Sequence, residues 1–432
     1  MNTRPDTAAA VPHAAAPDSA PEPDITASMR TPEFLRDPYP LYARMRRECP
    51  VHRSPQGIWY ITRYVDVEAA LGDLRLSNDR ERMTRALTAR DGRLRNLGRL
   101  TGRLGRVMTN TDPPDHARLR KLVNKAFTAR RVEALRDHIQ TIVDDLIERA
   151  VAAGPPTDLI QAVAEPLPHT VTCELFGIPA ADRTRVTSWF DRLGRLGDDI
   201  DAAEAAVDQF EGYLMRLVSE RRAEPGDDLI SALVARQAGG DHLTDEELLS
   251  TCFMLITAGD ETSTHLVGNG VLALLRHPGE LVRLRDRPDL IRSAVEELIR
   301  YDTPTQAIIR VVAEDVPLGG RVLRAGDLVY LVLASANRDP ERFPDPDRLD
   351  LGRTGNRHLA FGNGPHFCLG APLARLQAEL TIGTLLRRLP HLSLEDSRLL
   401  EWHTNPLQRR LRTLPVSYWA PTPQRFSFDL SR

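Results

Sequence analysis

The sequence predicts a mainly α-helical chain with a small β region, on three observations. Apolar residues recur at helical spacing through long stretches, as at Leu373, Leu376, Leu380, Ile382, Leu385 and Leu386. Helix boundaries are marked, with a Thr244-Asp-Glu-Glu247 capping box opening an apolar run that His277-Pro278 closes. Strand signals are short and few, chiefly Gly57-Ile-Trp-Tyr-Ile-Thr-Arg63 and the stretch after Thr303.

No interior linker divides the 432 residues, so one domain is expected over 29–432, behind an Ala/Pro-rich tail over 1–28 that has no periodic apolar face. Hydrophobic residues make up 41%, enough for a core that could enclose a cofactor. The net charge of −3 gives no basic field for nucleic acid. Cys49, Cys173, Cys252 and Cys368 lie far apart, as reduced thiols of a cytoplasmic protein would. Neither a signal peptide nor the ~18 uninterrupted apolar residues of a membrane span is expected.

After the strand at 57–63, Val65–Leu71 has the spacing of a short helix. Between Asp79 and Arg106 arginine recurs over a stripe of Leu94, Leu97, Leu100 and Leu104. This is either a solvated basic face or a mobile cap whose arginines meet an acidic or carrier-bound substrate. The prolines and Asp115 of Thr111-Asp-Pro-Pro-Asp115 signal a helix start, and His116 and Arg120, four apart, project from one face of the helix that follows. Residues 167–237 read as a series of amphipathic helices.

The apolar helix after Thr244 carries Ala258-Gly-Asp-Glu-Thr-Ser263 in its middle. Carboxylates inside a buried helix need a partner or a task, whereas on a solvent face they need neither. Gly259 weakens the helix there, and Thr262 can bond back to a carbonyl one turn earlier, so a kink is expected. Pro288 opens a further helix, in which Glu297 and Arg300 are spaced to pair, and Pro304 closes it. Strands follow after Thr303.

The chain centres on Phe361-Gly-Asn-Gly-Pro-His-Phe-Cys-Leu-Gly370. Its glycines let the backbone turn sharply and lie close to a flat group, and Cys368 sits where this loop enters a helix running from Ala371 to Leu389. Exposed helix-terminal amides stabilise a thiolate at such a place. Neither a dinucleotide loop nor a zinc site fits: a third glycine is missing after Gly362-x-Gly364, and there is no Cys-x-x-Cys pair.

This run resembles the haem-binding signature of the cytochrome P450 family, Phe-Gly-x-Gly-x-His-x-Cys-x-Gly, with all six fixed positions filled. Ala258, Gly259, Glu261 and Thr262 are similar to the family's Ala-Gly-x-Glu-Thr-Thr groove, with Ser263 for the second threonine. The Asp-Pro-Pro-x-His-x-x-x-Arg and Glu-x-x-Arg motifs are present in the family's order.

The resemblance implies a cytochrome P450 fold with haem b, iron protoporphyrin IX, between the long acidic helix and the cysteine-loop helix. Cys368 would ligate the iron. His116, Arg120, Arg310, His366, Phe361 and Gly362 would bind the cofactor, the first three at its propionates. Thr262 would hold dioxygen, and Glu261 with Asp260 would relay protons. Leu255, Ala258, Ala307, Ile308, Ile309 and Leu407 would line an apolar pocket. Arg353 would complete the Glu297–Arg300 network, with Arg342 in Pro340-Glu-Arg-Phe343 a decoy. Asn405–Gln408 would form a turn over the haem, and Arg410 stands where relatives often have glycine.

The implied activity is hydroxylation or epoxidation of a lipophilic small molecule such as a polyketide, terpenoid or peptide. The implied partners are dioxygen and a ferredoxin-type carrier with its NAD(P)H-dependent reductase, with the protein a cytoplasmic monomer. Arg118, Lys121, Lys125, Arg130 and Arg131 would dock the acidic carrier or simply face water. A peroxide-driven enzyme and a non-catalytic scaffold of the same fold are the alternatives.

Overall fold

The computed structural model describes residues 25–90, 92–103, 105–194, 199–235 and 242–419. The expected tail lies outside these residues as far as 24, while Ile25 and Met29 are already buried in one apolar cluster with Phe34, Tyr39 and Tyr42. Helices α1 (Pro32–Arg36) and α2 (Tyr39–Glu48) precede β1 (Val51–Arg53), β2 (Ile58–Ile61), α3 (Tyr64–Gly72) and β3 (Leu76–Ser77). The strand and helix expected over 57–71 are therefore both present, one to two residues shifted at their ends.

The arginine-rich stretch folds as α4 (Arg80–Thr88) and α5 (Arg93–Arg103). They lie so close that a Cβ on Gly98 would come 2.7 Å from Thr88 Cγ2. Leu94, Leu97 and Leu100 pack inward as the stripe required, and Leu104 falls outside the described residues.

The amphipathic middle is α6 (Asp115–Ala126), α7 (Ala129–Ala134), α8 (Arg136–Ala153), β4 (Thr157–Asp158), α9 (Pro166–Leu175), α10 (Arg183–Gly194), α11 (Ile200–Ala223) and α12 (Leu229–Val234). Then comes α13 (Asp245–Arg276), capped by Thr244: Thr244 Oγ1 accepts from Glu247 N and the Glu247 carboxylate accepts from Thr244 N. All residues from Ser263 to Leu274 are buried. Leu266, Val267, Val271 and Leu274 each contribute about 1.5–3 kcal/mol there. Through the stretch where a kink is expected, the helical backbone of α13 runs on without a break. The Thr262 back-bond forms, Oγ1 donating to Ala258 O at 3.0 Å, without interrupting the ladder.

The chain closes with α14 (Pro278–Asp286), α15 (Ile291–Tyr301), β5 (Ile308–Val312), β6 (Val316–Leu318), β7 (Arg321–Leu323), β8 (Leu328–Leu331), α16 (Leu333–Ala336), α17 (Ala371–Arg388), β9 (Ser393–Leu394) and β10 (Pro415–Ser417). Strand order in the main sheet is β1-β2-β8-β5-β3, with β2 and β8 parallel. Helices α9, α15 and α17 pack around α13, so the long helix is the axis of the core.

Candidate active site

The cysteine loop is pinned by its own backbone. Phe361 O accepts from Cys368 N at 2.9 Å, and Leu359 O accepts from Gly362 N at 2.8 Å. Gly364 has φ +70°, and a Cβ there would meet Leu71 O of α3 at 3.1 Å, so only glycine fits comfortably. Cys368 is the exposed member of the four cysteines, yet protein crowds it on most sides. That desolvation pushes its thiol pKa up, while the amides of Gly370 and Ala371 and the guanidinium groups of Arg120 and Arg375 pull it down. Arg375, which sequence reasoning missed, stacks over Phe361 at 4.6 Å and is held by Glu296.

Two imidazoles and two guanidinium groups converge beside this loop. The His116 and His366 rings lie 4.1 Å apart, and Arg120 Nη2 donates to Phe367 O at 2.6 Å. Burial, then the charges of His116, Arg310 and Arg120, push His366 down to about 3. Burial pushes Arg310 down to about 10. His116 Nε2 is buried with no hydrogen-bond partner. Asp112, the acid whose charge reaches His116 and Arg310, is already engaged by Ser77 Oγ and by Asn78 N at 2.9 Å. So many donors with so little negative charge suit a group carrying paired carboxylates.

On α13 the expected acids part company. Ala258 and Thr262, four apart, share one accessible face. Asp260, two residues from Thr262, lies on the opposite side, and its Oδ2 accepts from His169 Nδ1 at 3.2 Å. Asp260 is therefore held away from Thr262. His169 Nε2 lies 2.8 Å from Thr187 Oγ1, whose own hydrogen goes to Arg183 O. Both ring nitrogens of His169 thus donate, as in an imidazolium. The bond ties α13 to α9 and α10, a link invisible in the sequence because the partners lie 91 residues apart. Glu261 turns instead to an ion pair with Arg410.

The expected buried network is present. Arg300 donates to Glu297 at 2.7 and 2.8 Å, and Arg353 Nε donates to both carboxylate oxygens at 3.0 and 3.1 Å. Arg342 takes no part: its Nη2 reaches Gly355 O at 3.4 Å, and its guanidinium lies over the Tyr64 and Phe343 rings at 5.3 and 5.4 Å. Asn356, which the sequence reading passed over, adds a third side chain to Glu297.

Of the pocket candidates, Ala307, Ile309 and Leu407 belong to one apolar cluster, whereas Ile308 packs against another. Neighbouring strand residues point to opposite faces, so Ile308 and Ile309 cannot line the same wall. Leu255 packs on a third cluster, near the start of α13. Asn405–Gln408 forms the expected turn, Gln408 N donating to Asn405 O, and Leu407 O accepts from Gln306 N at 2.9 Å. In the basic segments, Arg99 pairs with Asp201 and Glu204 of α11 and Arg118 with Glu247, while Lys121 and Arg130 are exposed.

Fold and relatives together define a haem-dependent class of enzyme. The family model described as Cytochrome P450 matches residues 187–286 and 284–405. Cytochrome P450 monooxygenase PikC of Streptomyces venezuelae is 44% identical over 394 residues, 89% of this chain and 92% of that one. Mycinamicin IV hydroxylase/epoxidase of Micromonospora griseorubida is 40% identical, over 87% and 94%. The structure of the tirandamycin C-bound P450 monooxygenase TamI superposes with a TM-score of 0.79 at 40% identity, over 90% of this chain and 99% of that one. The chain belongs to the cytochrome P450 family. It is a haem-dependent monooxygenase that uses dioxygen, a lipophilic organic substrate and a redox partner. Among the described residues, no helix is long and apolar enough to cross a membrane.

Proposed function

We propose that the enzyme hydroxylates or epoxidises a secondary metabolite of the polyketide, terpenoid or peptide kind, with haem b held through Cys368 and electrons from a ferredoxin-type carrier in the cytoplasm. The observation that carries the cofactor assignment is the acid-poor meeting of His116, Arg120, Arg310 and His366 beside the cysteine loop. The unmet His116 Nε2 and the planar forks of Arg120 and Arg310 are suited to two propionates. Phe361 and Gly362 would shape the loop that carries Cys368.

Bound to thiolate, haem supplies the redox chemistry that activates dioxygen. Around it, Thr262 keeps a hydroxyl on the accessible face of α13, and Glu261 is the titratable group next to it that can carry protons inward from water. Asp260, bonded to His169, serves instead to hold α13 to its neighbours. Ala258, Ala307, Ile309 and Leu407 offer an apolar lining, with Leu255 further along the helix, which favours a lipophilic substrate. The relatives' names support this class: one is a hydroxylase and epoxidase of mycinamicin IV, another is bound to tirandamycin C.

The test is the difference spectrum of the reduced, carbon-monoxide-bound protein beside Cys368→Ala. A Soret band at the long-wavelength thiolate position in the wild type alone supports the assignment. A folded wild type without that band overturns it.

A further inference from the structure

Two consecutive arginines near the end of the chain do different things. Arg409 anchors: it pairs with Asp302 at 2.6 Å, donates to Leu35 O and Arg36 O, and lies over the Trp402 ring. Arg410 reaches across to α13 and pairs with Glu261. Its side chain is only 9% exposed, whereas that of Glu261 is 43% exposed. The acid is thus the movable partner and the arginine the fixed one.

Arg410 is fixed because its backbone belongs to an arm spanning 402–411. Trp402 bridges to Leu411, and Arg410 O accepts from His403 N at 2.9 Å. Arg409 N donates to Pro304 O at 2.7 Å, and Leu407 O accepts from Gln306 N at 2.9 Å. One rigid segment therefore bears both Leu407, a candidate pocket wall, and the cation that holds Glu261. His265, one turn beyond Glu261 on α13, is buried with its ring 6.3 Å from that of His403 on the same arm. Burial keeps His265 neutral, so Arg410 is the charge that Glu261 meets on this side.

We infer that Arg410 is a positioning residue for Glu261, holding its carboxylate against the arm that also carries Leu407. The inference rests on Glu261 being the proton-relay acid. A carboxylate left to swing on a solvent-accessible helix face spends little time at the approach to Thr262. Tethered, it stays within one side-chain rotation of it.

The test needs no substrate. The haem-loaded enzyme is driven by NADPH through a plant-type ferredoxin and its reductase. Dioxygen takes two electrons and two protons to become peroxide, and four of each to become two waters. NADPH gives two electrons, so a ratio of one NADPH per dioxygen marks peroxide and a ratio of two marks water. Both Glu261→Gln and Arg410→Gln are expected to lower the ratio, with peroxide per NADPH rising about two- to fivefold, the factor an ion pair of this exposure supports. Arg410→Lys is expected to restore it, and the double variant to be no worse than Glu261→Gln alone.

A wild-type ratio in Arg410→Gln beside a lowered one in Glu261→Gln overturns the inference and leaves the relay standing. Additive losses in the double variant overturn it too. A wild-type ratio in Glu261→Gln removes the relay reading itself. Amide hydrogen exchange then decides on the tether: faster exchange over 402–411 in Arg410→Gln but not in Arg410→Lys supports it, and unchanged exchange overturns it.

Discussion

Arg353 donates through Nε to both carboxylate oxygens of Glu297, 56 residues earlier in the chain, at 3.0 and 3.1 Å. Glu297 and Arg300 are fully buried, and the one carboxylate of Glu297 holds two guanidinium groups, those of Arg300 and Arg353. Removing Glu297 strands Arg300 in the interior. Glu297→Ala is expected to cost about 3–5 kcal/mol, the usual penalty for an uncompensated buried charge. Arg342→Ala, at the look-alike string, is expected to cost about 1 kcal/mol at most, through its contacts with the Tyr64 and Phe343 rings. Thermal or denaturant unfolding of the two variants measures the contrast.

Gly364 is the glycine that the loop cannot replace. Alanine there meets both a left-handed backbone and Leu71 O at 3.1 Å. Gly364→Ala is expected to cost about 1–2 kcal/mol from the backbone alone and to lower haem content, because the strain falls four residues before Cys368. Gly279→Ala, with nothing within 4 Å, is the control and should keep full haem content. Haem absorbance per protein, measured with each purified variant, gives the answer.

The cationic cluster predicts how tightly the cofactor is held. Arg310→Gln removes one charge-assisted bond from a buried guanidinium and is expected to weaken haem binding by about 1.5–3 kcal/mol, roughly tenfold to a hundredfold. Arg118→Ala, whose side chain is occupied with Glu247, should leave it unchanged. Haem transfer from the holoprotein to an apo-globin acceptor reports the difference.

His169 makes part of the stability depend on pH. Burial by itself lowers its pKa, but hydrogen bonds with Asp260 and Cys173 outweigh that and raise it from 6.5 to about 10. The folded state therefore binds the proton more tightly than the unfolded chain. The stabilisation is complete below pH 6.5 and is lost as pH rises towards 10. His169→Gln should lose less stability than the wild type between those values. Denaturant midpoints at both ends of the range, for both proteins, test this; parallel slopes would exclude the protonated pair.

Much of this architecture could be read from local signals. The capping box at Thr244 and Glu247, the helix after Gly370 and the strand at β2 each depend on residues a few positions apart, whose chemistry is the same in any fold. The family motifs extended that reading to Arg353.

The acids of α13 were a different matter. Sequence placed Asp260 and Glu261 together beside Thr262, since adjacent letters look like one site. A helix turns about 100° per residue, so it sends them to different neighbours. Which neighbours they meet was decided by the packing of α9 on one side and the 402–411 arm on the other, bringing in His169 and Arg410 from 91 and 149 positions away. By itself the sequence determined the haem-thiolate family, the cysteine loop and the helical frame. Only the tertiary structure decided that Asp260 pairs with His169 and Glu261 with Arg410, because long-range side-chain pairing depends on how whole helices pack.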